Sequence, residues 1–426
     1  MSNKDKVYSG TLFNTIRRLR QTWFTRCIPK VFALAALTGC GSSDYGNPPD
    51  LTQPSMIAAP TPMSIYPVAG TSENPARLFI FVAAVGSQAV NMPLAFDTGS
   101  AGITLNALDI FPSSIVTSNG FVFESNQTSV TYQGIVVTNQ QGTRSYGGTA
   151  GKTEYGNIGY ATVAFGDSAG MVTTTQMPVF LYYAVTDNAT GQAAAPQTQQ
   201  GWFGVNSAPD AIVVPGTPAT AEYPACMMGV SGTCYVASVL KYLNYATAVN
   251  AGFALSPTPL KVCDITAASC TPTAALTVGL ASATKDGFTQ SFLTCALNYA
   301  GPLQINGYNV CSPAIPQTTI TVSGSGGGSI QTNVIYDTGT PFFALNIPNG
   351  VTFPSALSTG ASLQVMMSSG FMYAASVGSG VDAVQVADLT AAQSANPADI
   401  SSVIGLGYFT TNSFFIDFTA GTEGWK

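Results

Sequence analysis

The chain contains no histidine. That absence removes a Ser-His-Asp triad, a Cys-His pair and any histidine-ligated zinc site, because each needs an imidazole as base or ligand. Catalysis within this chain falls to carboxylates, hydroxyls, thiols, Lys or Tyr, and neither a metal nor a cofactor is expected. Charge is scarce too. Asp, Glu, Lys and Arg make up 8% of 426 residues, and the formal net charge is −6. Of the 14 basic residues, half precede residue 31, so no basic patch exists to neutralise phosphates. Nucleic acid is therefore not an expected partner. Outside the N-terminus, no apolar run approaches the length of a membrane helix.

What the chain has instead is apolar residues (46%) and glycine (43 residues). Short Val, Ile, Phe, Tyr and Thr runs alternate with clusters of Gly, Asn, Pro and Ser, which reads as mostly β. The length allows two domains with separate cores. One amphipathic helix is expected over 238–250, where Leu240, Leu243, Ala246 and Val249 recur at near-helical spacing.

Residues 1–39 read as an export signal. Lys4, Lys6, Arg17, Arg18, Arg20, Arg26 and Lys30 make a basic region, and Val31 to Leu37 is an apolar stretch too short to span a bilayer. It ends in Leu37-Thr38-Gly39-Cys40. This resembles the bacterial lipobox, in which the chain is cut before the cysteine and the thiol is acylated. The resemblance implies lipidation at Cys40 and a membrane partner through that anchor. The protein would then sit in the bacterial cell envelope, at the periplasmic face or the outer membrane. Residues 40–62, rich in Gly, Ser, Asn and Pro, read as a flexible tether.

Six further cysteines, Cys226, Cys234, Cys263, Cys270, Cys295 and Cys311, lie in one stretch of an exported chain. Fifteen pairings are open, and the simplest joins neighbours. Staples suit an oxidising compartment. A metal site does not fit, with no His and no Cys-x-x-Cys.

Two stretches carry the chemistry. Leu94-Ala95-Phe96-Asp97-Thr98-Gly99-Ser100 recurs far downstream as Val334-Ile335-Tyr336-Asp337-Thr338-Gly339-Thr340. A single Asp-Thr-Gly is an ordinary turn signal. Two copies, each behind a buried-type strand and each followed by a hydroxyl residue, are not. A hairpin from Ala76 to Phe96 delivers the first copy. A strand, a Gly/Ser-rich turn (323–329) and a second strand deliver the other.

This duplication resembles the pepsin-like aspartic proteases, and it is closest to bacterial lipoproteins carrying Asp-Thr-Gly-Ser-x-Gly. The resemblance covers about Ala76 to Trp425. It implies a mostly β, bilobed fold: two related β-barrel-like lobes with a cleft between them. The N-terminal lobe would span 63–254 and the C-terminal lobe 255–426. Asp97 and Asp337 would form a catalytic pair, braced by Thr98 and Thr338, with Gly99 and Gly339 allowing tight turns. Ser100 and Thr340 would hydrogen-bond the outer carboxylate oxygens. Tyr146 is the flap candidate, in Ser145-Tyr146-Gly147-Gly148-Thr149, with Tyr155 as fallback. Gln200-Gly201-Trp202-Phe203-Gly204-Val205 is similar to the segment that backs the catalytic loop, and Trp202 and Phe203 read as core. Val403 to Phe418 is similar to the C-terminal signature, where Asp417 reads as structural. The chain departs from the family at Ala101-Gly102-Ile103, where a Trp usually supports the flap tyrosine, and at Pro341-Phe342. The implied function is a membrane-anchored aspartic endopeptidase, acting as a monomer on an extended peptide or protein substrate. The alternative is an inactive envelope lipoprotein of the same fold that binds a peptide or protein partner.

Overall fold

Alternating apolar residues make strands here because one face of each can be buried. The computed structural model describes residues 51–426 apart from 72–74, 148–150, 169, 196–200, 216–225, 227–231, 266–268, 296, 299–300, 303, 306, 315, 324–326, 349–350, 352, 354–358, 379–385 and 392–400. The signal segment, Cys40 and the start of the tether lie outside the described residues. So do part of the flap turn, Gln200 and part of the 323–329 turn.

The first hairpin runs from Arg77–Val85 to Gln88–Asp97. Gly86 at the turn has φ +57°, and a Cβ there would sit 2.9 Å from the backbone carbon of Gly134. Only glycine fits that turn without strain. Behind Asp97, Phe96 is fully buried against Phe203 and Phe253, with ring centroids at 6.3 and 5.7 Å. Burying one such ring contributes about 2–3 kcal/mol, enough to fix the strand end that carries the aspartate.

A six-stranded antiparallel sheet joins segments from distant parts of the chain. Thr61–Val68 pairs with Thr273–Leu280, which pairs with Asn250–Leu255, then Phe414–Asp417, Thr422–Trp425 and Thr289–Phe292. Downstream, a seven-stranded sheet has Gly328–Tyr336 and Ser401–Ile404 at its centre. There Tyr336 repeats the role of Phe96. It is buried just before Asp337 and packs on Tyr408 and Trp425, at 4.7 and 5.7 Å.

Three expectations need correction. The tether is already strand at Met56–Ile57 and Thr61–Val68, and Ile57 is buried in the core. Its apolar residues find a partner in Asn244–Tyr245. The boundary expected at 254/255 falls inside the strand Asn250–Leu255 of the six-stranded sheet. The helix expected over 238–250 is one 3-10 turn, Val239–Tyr242, followed by extended chain. Val239, Leu240, Lys241, Tyr242 and Leu243 are all buried. This first half of the segment is buried throughout, so a one-sided helical stripe has no surface to define it.

The cysteines pair as neighbours: Cys226–Cys234, Cys263–Cys270 and Cys295–Cys311. Asp417 is fully buried and structural in its contacts. Its Oδ2 accepts from Lys285 Nζ and Asn250 Nδ2, both at 2.8 Å, and its Oδ1 from Ala420 N.

Candidate active site

Each aspartate sits at the end of a strand supported by a third strand running parallel to it. Trp202–Val205 lies parallel to Gln88–Asp97 and antiparallel to Ala101–Asn106, with Gly204 opposite Asp97. Ser401–Ile404 lies parallel to Gly328–Tyr336 and pairs antiparallel with Phe343–Ile347. In both, a glycine permits the close approach. A Cβ on Gly204 would fall 2.7 Å from the backbone of Ala101, and one on Gly405 2.5 Å from the Thr340 carbonyl. The two arrangements are related as the two copies of the motif are related.

The loops are tied to each other. Thr98 N donates to Thr338 Oγ1 and Thr338 N donates to Thr98 Oγ1, both at 3.0 Å. Thr98 Oγ1 donates on to the Tyr336 carbonyl at 2.9 Å, and Thr338 Oγ1 to the Phe96 carbonyl at 2.7 Å. All four bonds are buried, where net worth per bond is at the upper end of about 0.5–1.5 kcal/mol.

This grip brings Asp97 and Asp337 together across the two loops, close enough for each to act on the other electrostatically. The surroundings are equivalent on the two sides. Gly99 N donates to Asp97 Oδ1 at 2.8 Å, and Gly339 N to Asp337 Oδ1 at 2.7 Å. Ser100 Oγ donates to Asp97 Oδ2 at 2.5 Å, and Thr340 Oγ1 to Asp337 Oδ2 at 2.6 Å. Each glycine also packs against the other aspartate. Burial, then the neighbouring Asp337 charge, push the Asp97 carboxyl well above the usual carboxylate range. Two carboxylates about 4 Å apart repel by about 4 kcal/mol at an effective dielectric near 20, which favours a pair with one proton between them.

Tyr146 ends the strand Ile135–Tyr146, which pairs with Lys152–Ala161 in the hairpin expected to be the flap. Its hydroxyl is buried without a partner. Its ring lies 5.1 Å from that of Trp202, at an interplanar angle of 30°. Trp202 and Phe203, both read as core from the sequence, are both buried, and Trp202 also packs against Tyr146, the flap candidate. Tyr155, the fallback, is 38% exposed and is not part of the site.

Two arginines of this wall escaped the sequence reading. Arg144 is buried. It donates to the Ala101 carbonyl at 2.5 Å, pairs with Asp210, and lies 5.0 Å from the Tyr146 ring centroid. Arg77 is 6% exposed, and its Cζ lies 5.5 Å from the Trp202 ring centroid. With only 14 basic residues in the chain, a cation opening an otherwise apolar strand was the signal available. Among the described residues, no group of three or more His, Cys, Asp or Glu side chains could hold a metal ion.

The chain matches no protein-family model and no curated protein. Solved structures to which it is similar include an aspartic proteinase from Irpex lacteus, at 13% identity and a TM-score of 0.45, covering 86% of this chain and 96% of that one. Basic 7S globulin from soybean is similar at 13% identity and a TM-score of 0.42, covering 86% and 95%.

Proposed function

We propose that this protein is an aspartic endopeptidase of the bacterial cell envelope, anchored through a lipid on Cys40. The observation that supports it is the approach of Asp97 to Asp337, each with one oxygen on a glycine N–H and the other on a hydroxyl. A pair sharing one proton has an acid and a base side by side. The ionised carboxylate takes a proton from a water, whose oxygen adds to the scissile carbonyl carbon. The protonated carboxyl gives its proton to the carbonyl oxygen. In the second half the amide nitrogen takes a proton, the C–N bond breaks and the carbonyl re-forms. The sum is one water consumed per peptide bond, with no covalent intermediate on the protein. The anchor rests on the sequence around Cys40 and keeps the cleavage at the membrane surface.

The test is cleavage of a broad peptide library between pH 3 and 7 by the full chain in detergent, against Asp97→Asn and Asp337→Asn. Loss of cleavage in both variants, with their folds intact, is the expected result. A folded wild type that cleaves nothing, yet retains bound peptide, would replace this reading with the binding lipoprotein.

A further inference from the structure

Arg77 opens the strand that pairs with the one ending in Asp97. The strands Arg77–Val85 and Gln88–Asp97 are antiparallel with Phe79 opposite Ala95; Arg77 lies two residues before Phe79 and Asp97 two residues after Ala95, so alternation puts both on the face of that pair. Directly opposed residues project from the same face of a sheet. The neighbouring strand puts Trp202 beside Ala95 and Gly204 beside Asp97. Arg77, Trp202 and Asp97 therefore share one face, which agrees with the guanidinium lying against the Trp202 ring.

The guanidinium is poorly compensated. Its Nη1 donates to the adjacent Ala76 carbonyl at 3.0 Å, while its Nε is buried with no partner. Among the described residues, Arg77 makes no ion pair, although Arg144 does. A buried cation without a counter-ion costs several kcal/mol. The nearby negative charge is the dyad, and both Asp337 and Asp97 act on Arg77 electrostatically. Other polar groups facing the dyad do not replace that charge. Ser100 and Thr340 are neutral donors. Burial pushes the Tyr146 phenol far above its ordinary value, so it stays neutral. Arg144, behind Tyr146, is engaged by Asp210 and faces the buried Glu154 across the hairpin.

We propose that Arg77 is a positioning residue for the dyad: a permanent positive charge that favours its singly ionised form in acid and so sets the pH range in which it works. This rests on the reading of Asp97 and Asp337 as the catalytic pair. A nearby cation stabilises each more ionised form, so it lowers both macroscopic pKa values of a coupled pair. Removing it moves both upward.

The experiment is a pH titration of the full chain, ¹³C-labelled at the aspartate carboxyls, with Asp97→Asn and Asp337→Asn to assign the pair. Wild type is compared with Arg77→Gln, Arg77→Met (which keeps apolar stem packing on Trp202) and Arg77→Lys. The pH profile of cleavage is recorded alongside. Both dyad transitions, and both limbs of the profile, are expected to rise by about one pH unit in the Gln and Met variants. The Lys variant should stay within half of that shift. Transitions unmoved in a folded Gln or Met variant overturn the inference while leaving the dyad in place. A wild type in which the two aspartates titrate independently overturns the catalytic reading as well. The carboxyl titration needs no turnover, so the two failures are distinct.

Discussion

Replacing Gly339 with alanine should disable the dyad without unfolding the protein. A Cβ built on Gly339 falls 2.5 Å from Asp97 Oδ1 and 2.6 Å from its Cγ, and one on Gly99 falls 2.5 Å from Asp337 Oδ1. Ordinary van der Waals contact begins at 3.4 Å, so the carboxylate or the loop must retreat by about 0.9 Å. Neither glycine has a positive φ, so alanine adds no backbone strain and the effect isolates the contact. A misplacement of about 1 Å in a catalytic group costs about 100-fold in rate. Gly339→Ala and Gly99→Ala should each lower kcat by about that factor, equally, since each disturbs the partner's carboxylate. The assay is kcat on a cleaved peptide at its optimum pH, with thermal melts and near-ultraviolet circular dichroism to establish folding. A folded Gly339→Ala that keeps more than about a third of wild-type kcat would refute the idea that this contact sets the spacing of the pair.

Further outcomes follow from the same geometry. Thr98→Val leaves the buried Thr338 N–H without its acceptor, and should cost about 2–3 kcal/mol in urea unfolding. Combined with Thr338→Val, the two losses should depart from additivity, because the four bonds form one network. Tyr146→Phe removes a buried hydroxyl that has no partner, so the melt should be unchanged or raised. A tenfold or greater loss of cleavage in that variant would assign the hydroxyl to substrate. Glu423 is pushed up to about 8 by burial, partly offset by the Ala314 N–H. Its folded pKa lies above the unfolded value, so its contribution is full below about pH 4.5 and is lost as pH rises through about 8. Glu423→Gln cannot ionise. It should match wild type at pH 4 and be more stable above pH 8, by an amount on the order of 3–5 kcal/mol. Equal pH dependence in urea melts of the two proteins would exclude this.

The sequence by itself singled out the candidate acid pair, Asp97 and Asp337. With no histidine, two Asp-Thr-Gly copies behind apolar strands left carboxylates as the chemistry, and the hydroxyl after each glycine marked the outer oxygens. The turn chemistry and the alternation are local signals, each readable within ten residues, and the repeat needs only a comparison of two such stretches. The neighbour-pairing of the six cysteines was the simplest of fifteen choices, and the fold adopts it. The tertiary structure decided what depends on residues far apart. The approach of Asp97 to Asp337 needs four hydrogen bonds between loops 240 residues apart. Tyr146 packs against Trp202, on a strand that reaches it only through the fold. The segment 238–250 has helical spacing, yet burial of every residue from Ser238 to Leu243 overrides that pattern. Arg77 meets Trp202 only through the packing of neighbouring strands, on the face that also carries Asp97.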